Sequence, residues 1–332
     1  MSTVQFIHAY IGMPLFGFLL SLFIKKSKEQ ALSVISYTTA ALQLILVLIY
    51  GISWLSHGSS PVQFKELSVY SSENYEFFID FLVDKLTLVF ALLGASLTFL
   101  ITIYSRYYLH REDGYKRFFN TILFFNLGYT LIIFSGNMET LFIGWEILGV
   151  SSFLLIAFYR ERLLPVKNAL KVFSVYRIGD IGIILAMWLL HHLWHSNITF
   201  LEMNASVRLN AELAGTSAIG LITAFLFYIS AAAKSAQLPF SSWLPRAMEG
   251  PTPSSAIFYG SMSVHIGAFL LLRTMHFWEN QLVFKFFLIS AGLLTALITT
   301  AISRVQSSIK SQIAYASIAQ IGLIFVEIAF GL

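Results

Sequence analysis

Ser230–Ser255 reads SAAAKSAQLPFSSWLPRAMEGPTPSS and follows the apolar run Ile219–Ile229. Lys234 therefore falls about four turns into a helix that reads as membrane-spanning. Pro239 then removes a backbone donor and breaks that helix just past the amine. A lysine at membrane depth costs roughly 3 kcal/mol or more, so it needs a reason to be there. An amine beside a broken helix is the feature from which the rest is read.

Working outward, the 332 residues are 57% hydrophobic and only 11% charged. Soluble domains carry roughly 25% charged residues. Apolar runs recur along the whole length, and no polar stretch is long enough to wrap a soluble core. The expected fold class is all-α, a polytopic membrane helix bundle. Ten apolar spans are expected, at 4–24, 31–55, 81–104, 118–135, 140–158, 168–190, 216–236, 252–272, 282–303 and 311–331. Residues 4–24 lack the basic flank of a signal peptide and are read as the first helix.

The loops alternate in charge. Lys25, Lys26 and Lys28 follow span one, and Arg106, Arg111, Lys116 and Arg117 follow span three. Arg160, Arg162 and Lys167 follow span five, Arg246 follows span seven, and Arg304 and Lys310 follow span nine. The longest of the other loops, 57–80, carries Glu66, Glu73, Glu76 and Asp80 against Lys65. The positive-inside rule places the odd-numbered loops in the cytoplasm and the N-terminus outside. The net charge of +4 fits this topology and does not point to nucleic acid. The absence of cysteine excludes thiolate-held zinc, iron–sulfur clusters, c-type haem and disulfides within the chain.

Ionisable groups inside the spans carry the functional reading. Glu146 has apolar residues on both sides in the fifth span. The sixth holds Lys171, Arg177 and Asp180, the last two sharing a helix face and able to pair. Lys234 lies in the seventh span, His265 in the eighth, and Lys310 opens the tenth. Glu146 and Lys234 make sense as a mutually stabilising pair that also exchanges protons. Plainer readings stand beside this one. Arg177–Asp180 is also a structural ion pair, Lys171 and Lys310 also snorkel from span ends, and His265 is also a hydrogen-bonded bundle histidine. Gly144, Gly149, Gly179, Gly182, Gly260 and Gly267 permit close helix contact. His191 and His195 have the spacing of two helical metal ligands, but no third ligand accompanies them, and no metal site is expected. No phosphate-binding glycine loop or paired-carboxylate hydrolase pattern occurs, so no catalytic chemistry and no cofactor is expected in this chain.

Five blocks, YSRYYLHREDGYKRFF (104–119), GNMETLFIGWEILGVSSFLLIAFY (136–159), VFSVYRIGDIG (172–182), KSAQLPFSSWLPRAMEGPTPSSA (234–256) and IKSQIAYASIAQIG (309–322), occur in order. With them the chain resembles the antiporter-like, proton-conducting membrane subunits. That family holds the large membrane subunits of respiratory complex I and the Mrp-type cation/proton antiporters. The resemblance implies a glutamate–lysine pair at Glu146 and Lys234, with Asp180 near the glutamate and Lys310 on a central polar axis. It implies helices one to three over 1–110, a first five-helix repeat over 111–275, and the start of a second, inverted repeat over 276–332. The second broken helix is then expected to be missing, the chain ending at Leu332.

In PTPSSAIFYGSMSVHIGAFLLLRT (251–274), Tyr259 stands where those families carry a histidine, and His265 follows later. That variant is more similar to the membrane subunit of DAB-type inorganic carbon transporters, whose large partner resembles a zinc carbonic anhydrase. On that resemblance the zinc belongs to the partner. The leading expectation is a bacterial inner-membrane transporter subunit that conducts protons along Glu146, Lys234, His265, Lys310 and Lys171, tuned by Arg177 and Asp180. Its flux would drive carbon dioxide hydration by the partner. The alternatives are a proton-pumping subunit of a complex I-type quinone oxidoreductase, with other complex I subunits as partners, and a subunit of an Mrp-type sodium/proton antiporter.

Overall fold

The computed structural model describes residues 2–72, 75–203, 217–259 and 262–331, the side chains of 258 and 259 excepted. Glu73, Gly260 and the Tyr259 side chain, which the sequence singled out, lie outside the described residues.

Helix α1 (Thr3–Phe23) starts at a reciprocal cap: the Ser2 hydroxyl accepts from the Gln5 N–H, and the Gln5 side chain accepts from the Ser2 N–H. Helices α2 (Glu29–Ser56), α3 (Lys85–Tyr108), α4 (Tyr115–Phe134), α5 (Met138–Ile156) and α6 (Leu163–Trp194) follow. After them come α7 (Ala218–Lys234), the short α8 (Trp243–Arg246), α9 (Thr252–Tyr259), α10 (His265–Arg273) and α11 (Met275–Trp278). Two long helices close the described chain, α12 (Leu282–Arg304) and α13 (Ile309–Phe330). Among the described residues eight helices, α1 to α6, α12 and α13, are long and apolar enough to cross a membrane.

The surface is inverted relative to a soluble protein. On α2, Ile49, Ile52 and Leu55 are exposed while Ser33, Ser36 and Gln43 are buried. Water would penalise such a surface, whereas lipid tails do not. Polar side chains instead tie helices together inside. Gln43 Nε2 donates to the Tyr10 carbonyl at 2.9 Å, and Asn126 Nδ2 donates to Gln43 Oε1 at 2.6 Å, linking α1, α2 and α4. The α4–α5 crossing is so close that a Cβ on Gly144 would lie 2.7 Å from the Gly128 carbonyl oxygen.

Four sequence expectations change. The 57–80 loop contains most of a hairpin, β1 (Val62–Ser71) paired antiparallel with β2 (Glu76–Val83), Val62 opposite Val83. Residues 81–83, expected to begin the third span, finish β2, and Asp84 caps α3 by accepting from the Thr87 N–H at 2.8 Å. The hairpin seals one end of the bundle. Asn137 Nδ2 donates to the Phe78 carbonyl at 2.9 Å, and Gly136 N donates to the Asp80 carbonyl at 2.8 Å.

The eighth span, 252–272, is not one helix but two, α9 and α10, with 262–264 non-helical ahead of α10, so among the described residues two elements are interrupted rather than one. The seventh is shorter than expected, because α7 stops at Lys234 itself, five residues before Pro239. The chain from Ser235 to Ser242 is non-helical, with Ala236 at φ 54°.

Candidate functional site

The interrupted seventh helix needs its freed backbone groups satisfied, and neighbouring elements supply the partners. Trp243 Nε1 donates to the Ala233 carbonyl at 2.8 Å, and Tyr228 Oη donates to the Leu238 carbonyl at 2.8 Å. The Leu238 N–H donates to Thr295 Oγ1 of α12 at 3.3 Å. Gln237 Nε2 donates to the Ile318 carbonyl of α13 at 3.2 Å, and Ser235 Oγ donates to the Val264 carbonyl at 2.5 Å, just ahead of α10. The break is thus held from three sides.

Lys234, the last residue of α7, is 1% exposed. Its Nζ donates to the Trp145 carbonyl at 3.3 Å. The same ammonium stands 4.7 Å from the Trp145 ring centre and 4.2 Å from that of Tyr176. Both aromatic faces favour a cation. Lys234 interacts electrostatically with Glu146, the partner expected from sequence, and forms no direct ion pair with it among the described residues. Glu146 Oε2 instead accepts from Arg177 Nη2 at 2.7 Å. Arg177 Nε lies 2.8 Å from Asp180 Oδ2, the pairing expected from the i, i+3 spacing. Trp145 Nε1 donates to Asp180 Oδ1 at 2.8 Å.

Position on the helix sets which groups touch directly. Gly149 of α5 lies between the two cations: a Cβ there would be 3.6 Å from Lys234 Nζ and 3.7 Å from Arg177 Nη2. Arg177 reaches Glu146 from the open side of the bundle, where the two side chains are 39% and 28% exposed. Lys234 approaches from the closed side and meets the α5 backbone first. The electrostatic neighbours of its amine are Asp180, Glu146 and Arg177. Two acids and two cations thus form one charge-balanced cluster across α5, α6 and α7.

Tyr176, Trp145 and Gly149 belong to this cluster but were not candidates from sequence. Their signal was adjacency: Trp145 precedes Glu146 and Tyr176 precedes Arg177. Trp243 was missed as well, although it caps the broken helix and packs edge-on against Tyr176 with ring centres 5.1 Å apart.

The other candidates fall elsewhere. His265 opens α10 next to the Ser235–Val264 contact, and its buried Nδ1 has no hydrogen-bond partner among the described residues. Lys310 Nζ donates to the Gly250 carbonyl at 3.1 Å, tying the start of α13 to the turn before α9. Lys171 is exposed and joins none of the cluster's contacts, as a long amine near a helix end does when it snorkels. Pro239 sits inside the non-helical segment rather than at the point of interruption. His191 Nδ1 donates to Asn197 Oδ1 at 3.0 Å, and His195 terminates α6 at φ 53°. Among the described residues no group of three or more His, Cys, Asp or Glu side chains is arranged to hold a metal ion.

At the hairpin end, burial pushes the Asp80 carboxyl up to about 6, against the hydrogen bond from Gln63. Gln63 Nε2 donates to its Oδ2 at 2.6 Å, and Oδ1 is buried without a partner among the described residues.

Residues 135–331 match the family described as NADH:quinone oxidoreductase/Mrp antiporter, transmembrane. Residues 70–119 match that of the N-terminus of complex I chain 5. The chain is 29% identical over 328 residues to NADH-quinone oxidoreductase subunit L of Buchnera aphidicola, covering 98% of this chain and 52% of that protein. It is 33% identical over 264 residues to the chloroplastic NAD(P)H-quinone oxidoreductase subunit 5 of Brachypodium distachyon, covering 78% of this chain and 35% of the relative. It thus spans about half or less of the length of these curated relatives. The fold is similar to a chain of the Mrp complex from Dietzia sp. DQ12-45-1b (TM-score 0.84, 22% identity, 100% of this chain and 34% of that one). It is also similar to a chain of the membrane-bound sulfane sulfur reductase, an archaeal respiratory membrane complex (TM-score 0.80, 20% identity, 98% and 64%). On the match over residues 135–331, with the interrupted helix and its lysine inside it, the chain belongs to the NADH:quinone oxidoreductase/Mrp antiporter membrane family.

Proposed function

We propose that this chain is a proton-conducting membrane subunit of a multi-subunit complex of the NADH:quinone oxidoreductase or Mrp type. One observation carries the reading: a fully buried amine, Lys234, ends an interrupted helix beside two acids already shared by a fixed cation. Arg177 does not release its proton, so it sets the field while Glu146, Asp180 and Lys234 exchange protons. With all four groups ionised the formal charge is zero. A proton arriving on Glu146 leaves the cluster with an excess positive charge. Like charges in a desolvated cluster repel, and this repulsion favours passing a proton on from Lys234. Its departure restores neutrality and readies the acid to empty. His265 and Lys310 continue the path toward α13.

The half-exposed Glu146–Arg177 pair supports a neighbouring subunit. Charged side chains on the flank of a membrane bundle are costly unless covered. The repeat organisation, 111–275 followed by 276–332, and a cytoplasmic side carrying the Lys/Arg-rich loops with the N-terminus outside, are part of the same proposal. The family and its relatives favour this reading over inorganic carbon uptake with a carbonic-anhydrase-like partner. The test is Lys234→Ala in the intact complex, with proton transfer followed by a pH-sensitive dye in inside-out membrane vesicles. Loss of transfer at normal membrane abundance is expected, and wild-type transfer would defeat the proposal. Added sodium separates the two complex types, since an Mrp-type complex exchanges sodium for protons.

A further inference from the structure

The mechanism above leaves two buried acids unused, Asp80 on the hairpin and Glu139. Glu139, in the first turn of α5, is 8% exposed. Its Oε1 accepts from Asn197 Nδ2 at 2.5 Å, and Oε2 is buried without a hydrogen-bond partner among the described residues. Asn197 Oδ1 in turn accepts from His191 Nδ1. His191 lines an open cavity of about 370 Å³ with Trp188, His192 and His195. A solvent-facing imidazole, an amide and a buried carboxyl therefore stand in one hydrogen-bonded row.

The groups that face this row are few. Asp80 on β2 reaches the same turn, its backbone N donating to Thr140 Oγ1 at 3.0 Å. Glu202 accepts from the Thr199 N–H and hydroxyl at 2.9 and 3.0 Å. Tyr75 packs edge-on against His191, with ring centres 5.4 Å apart. Among the described residues no lysine or arginine forms an ion pair with Glu139. A buried carboxylate without a cation is expensive, and a bound proton removes that charge.

Position along the helix gives the site its use. Glu139 and Glu146 are seven residues apart, so they share one face of α5, about 10 Å apart along the axis. Phe142 and Ile143 fill the two turns between them. We infer that Glu139 is a second proton-binding site, loaded from solvent at the His191 face and serving the Glu146 cluster across the apolar step. The inference rests on the proton-conducting reading above and adds where protons enter or leave at the hairpin end. In loading, an O–H bond forms on Glu139 Oε2 with a proton given up by solvent at the imidazole face. In unloading that bond breaks and an O–H bond forms on the accepting Glu146 carboxylate, so one proton is moved and no electrons are exchanged. Asn197 positions the imidazole and the carboxyl.

The experiment compares Glu139→Gln, Glu139→Asp and Lys234→Ala in the intact complex. It uses vesicle proton transfer across a pH series and infrared difference spectra of the purified complex. Glu139→Gln is expected to lower transfer about tenfold, to flatten its pH profile and to delete one protonated-carboxyl band. Glu139→Asp restores band and profile in part. If Lys234→Ala abolishes transfer while Glu139→Gln keeps the wild-type rate, profile and spectrum, the second site is overturned and the proton-conducting reading stands. If Lys234→Ala transfers protons normally, that reading falls and this inference with it.

Discussion

Arg177 Nη2 holds Glu146 Oε2 at 2.7 Å, so the acid of α5 is clamped to α6. The same guanidinium lies 2.8 Å from Asp180 through Nε. A planar cation shared between two carboxylates fixes both and leaves Lys234 to a backbone carbonyl. The other oxygen of the α5 acid, Glu146 Oε1, is buried without a hydrogen-bond partner among the described residues.

Arg177→Gln should uncouple the cluster. Glu146 loses its cation and is free to pair with Lys234, which locks the amine in its charged form. Proton transfer in vesicles is expected to fall about tenfold or more. Arg177→Lys should fall between, since a point charge cannot serve two acids in a fixed fork. Equal rates for wild type and Arg177→Gln would exclude the clamp.

Gly149 sets the spacing between the two cations. An alanine methyl would make ordinary contact with Lys234 Nζ and Arg177 Nη2, so Gly149→Ala should accumulate and transfer protons near the wild-type rate. The branches of Gly149→Val enter the space both cations use. Displacement by about 1 Å can cost about a hundredfold in a positioned site. Comparing initial rates of the two variants at matched abundance tests this.

Asp80 gives the hairpin end a pH dependence. Burial raises its folded value from 3.8 to about 6. The folded state therefore binds more protons than the unfolded state between those values. Its contribution to stability is fully present below pH 3.8 and is lost as pH rises through about 6. Asp80→Asn keeps an acceptor for Gln63 and cannot ionise. Thermal melting of the purified complex should show this variant gaining on the wild type between pH 5 and pH 8. A constant difference across that range would remove Asp80 as the cause.

Much of the bundle could be read from apolar length alone, because lipid demands unbroken helices of a fixed span. The hairpin could not. Residues 76–83, EFFIDFLV, are almost continuously apolar and merge with the run that follows. Only the cap at Asp84 separates strand from helix. The acids and bases of the cluster were legible because charge inside an apolar run is conspicuous. The Arg177–Asp180 pairing was legible from its i, i+3 spacing, but the Arg177–Glu146 contact between helices was not, because sequence shows which groups are buried and not which faces meet. Trp145 and Tyr176 act through a carbonyl and a ring face, which periodicity does not reveal. Glu139 was hidden by its place at the start of a span, where an acid also favours the helix dipole.

The segment from Ser235 to Ser242 is fastened to α12 at Thr295, to α13 at Ile318 and to the approach to α10 at Val264. Those three attachments make it a mechanical linkage. A tilt or slide of either C-terminal helix pulls on the peptide that ends in Lys234, and so moves the ammonium against the rings and carbonyl that cradle it. On the proton-conducting reading proposed above, strain applied at a distant subunit contact would reach this amine and bear on its hold of a single hydrogen ion.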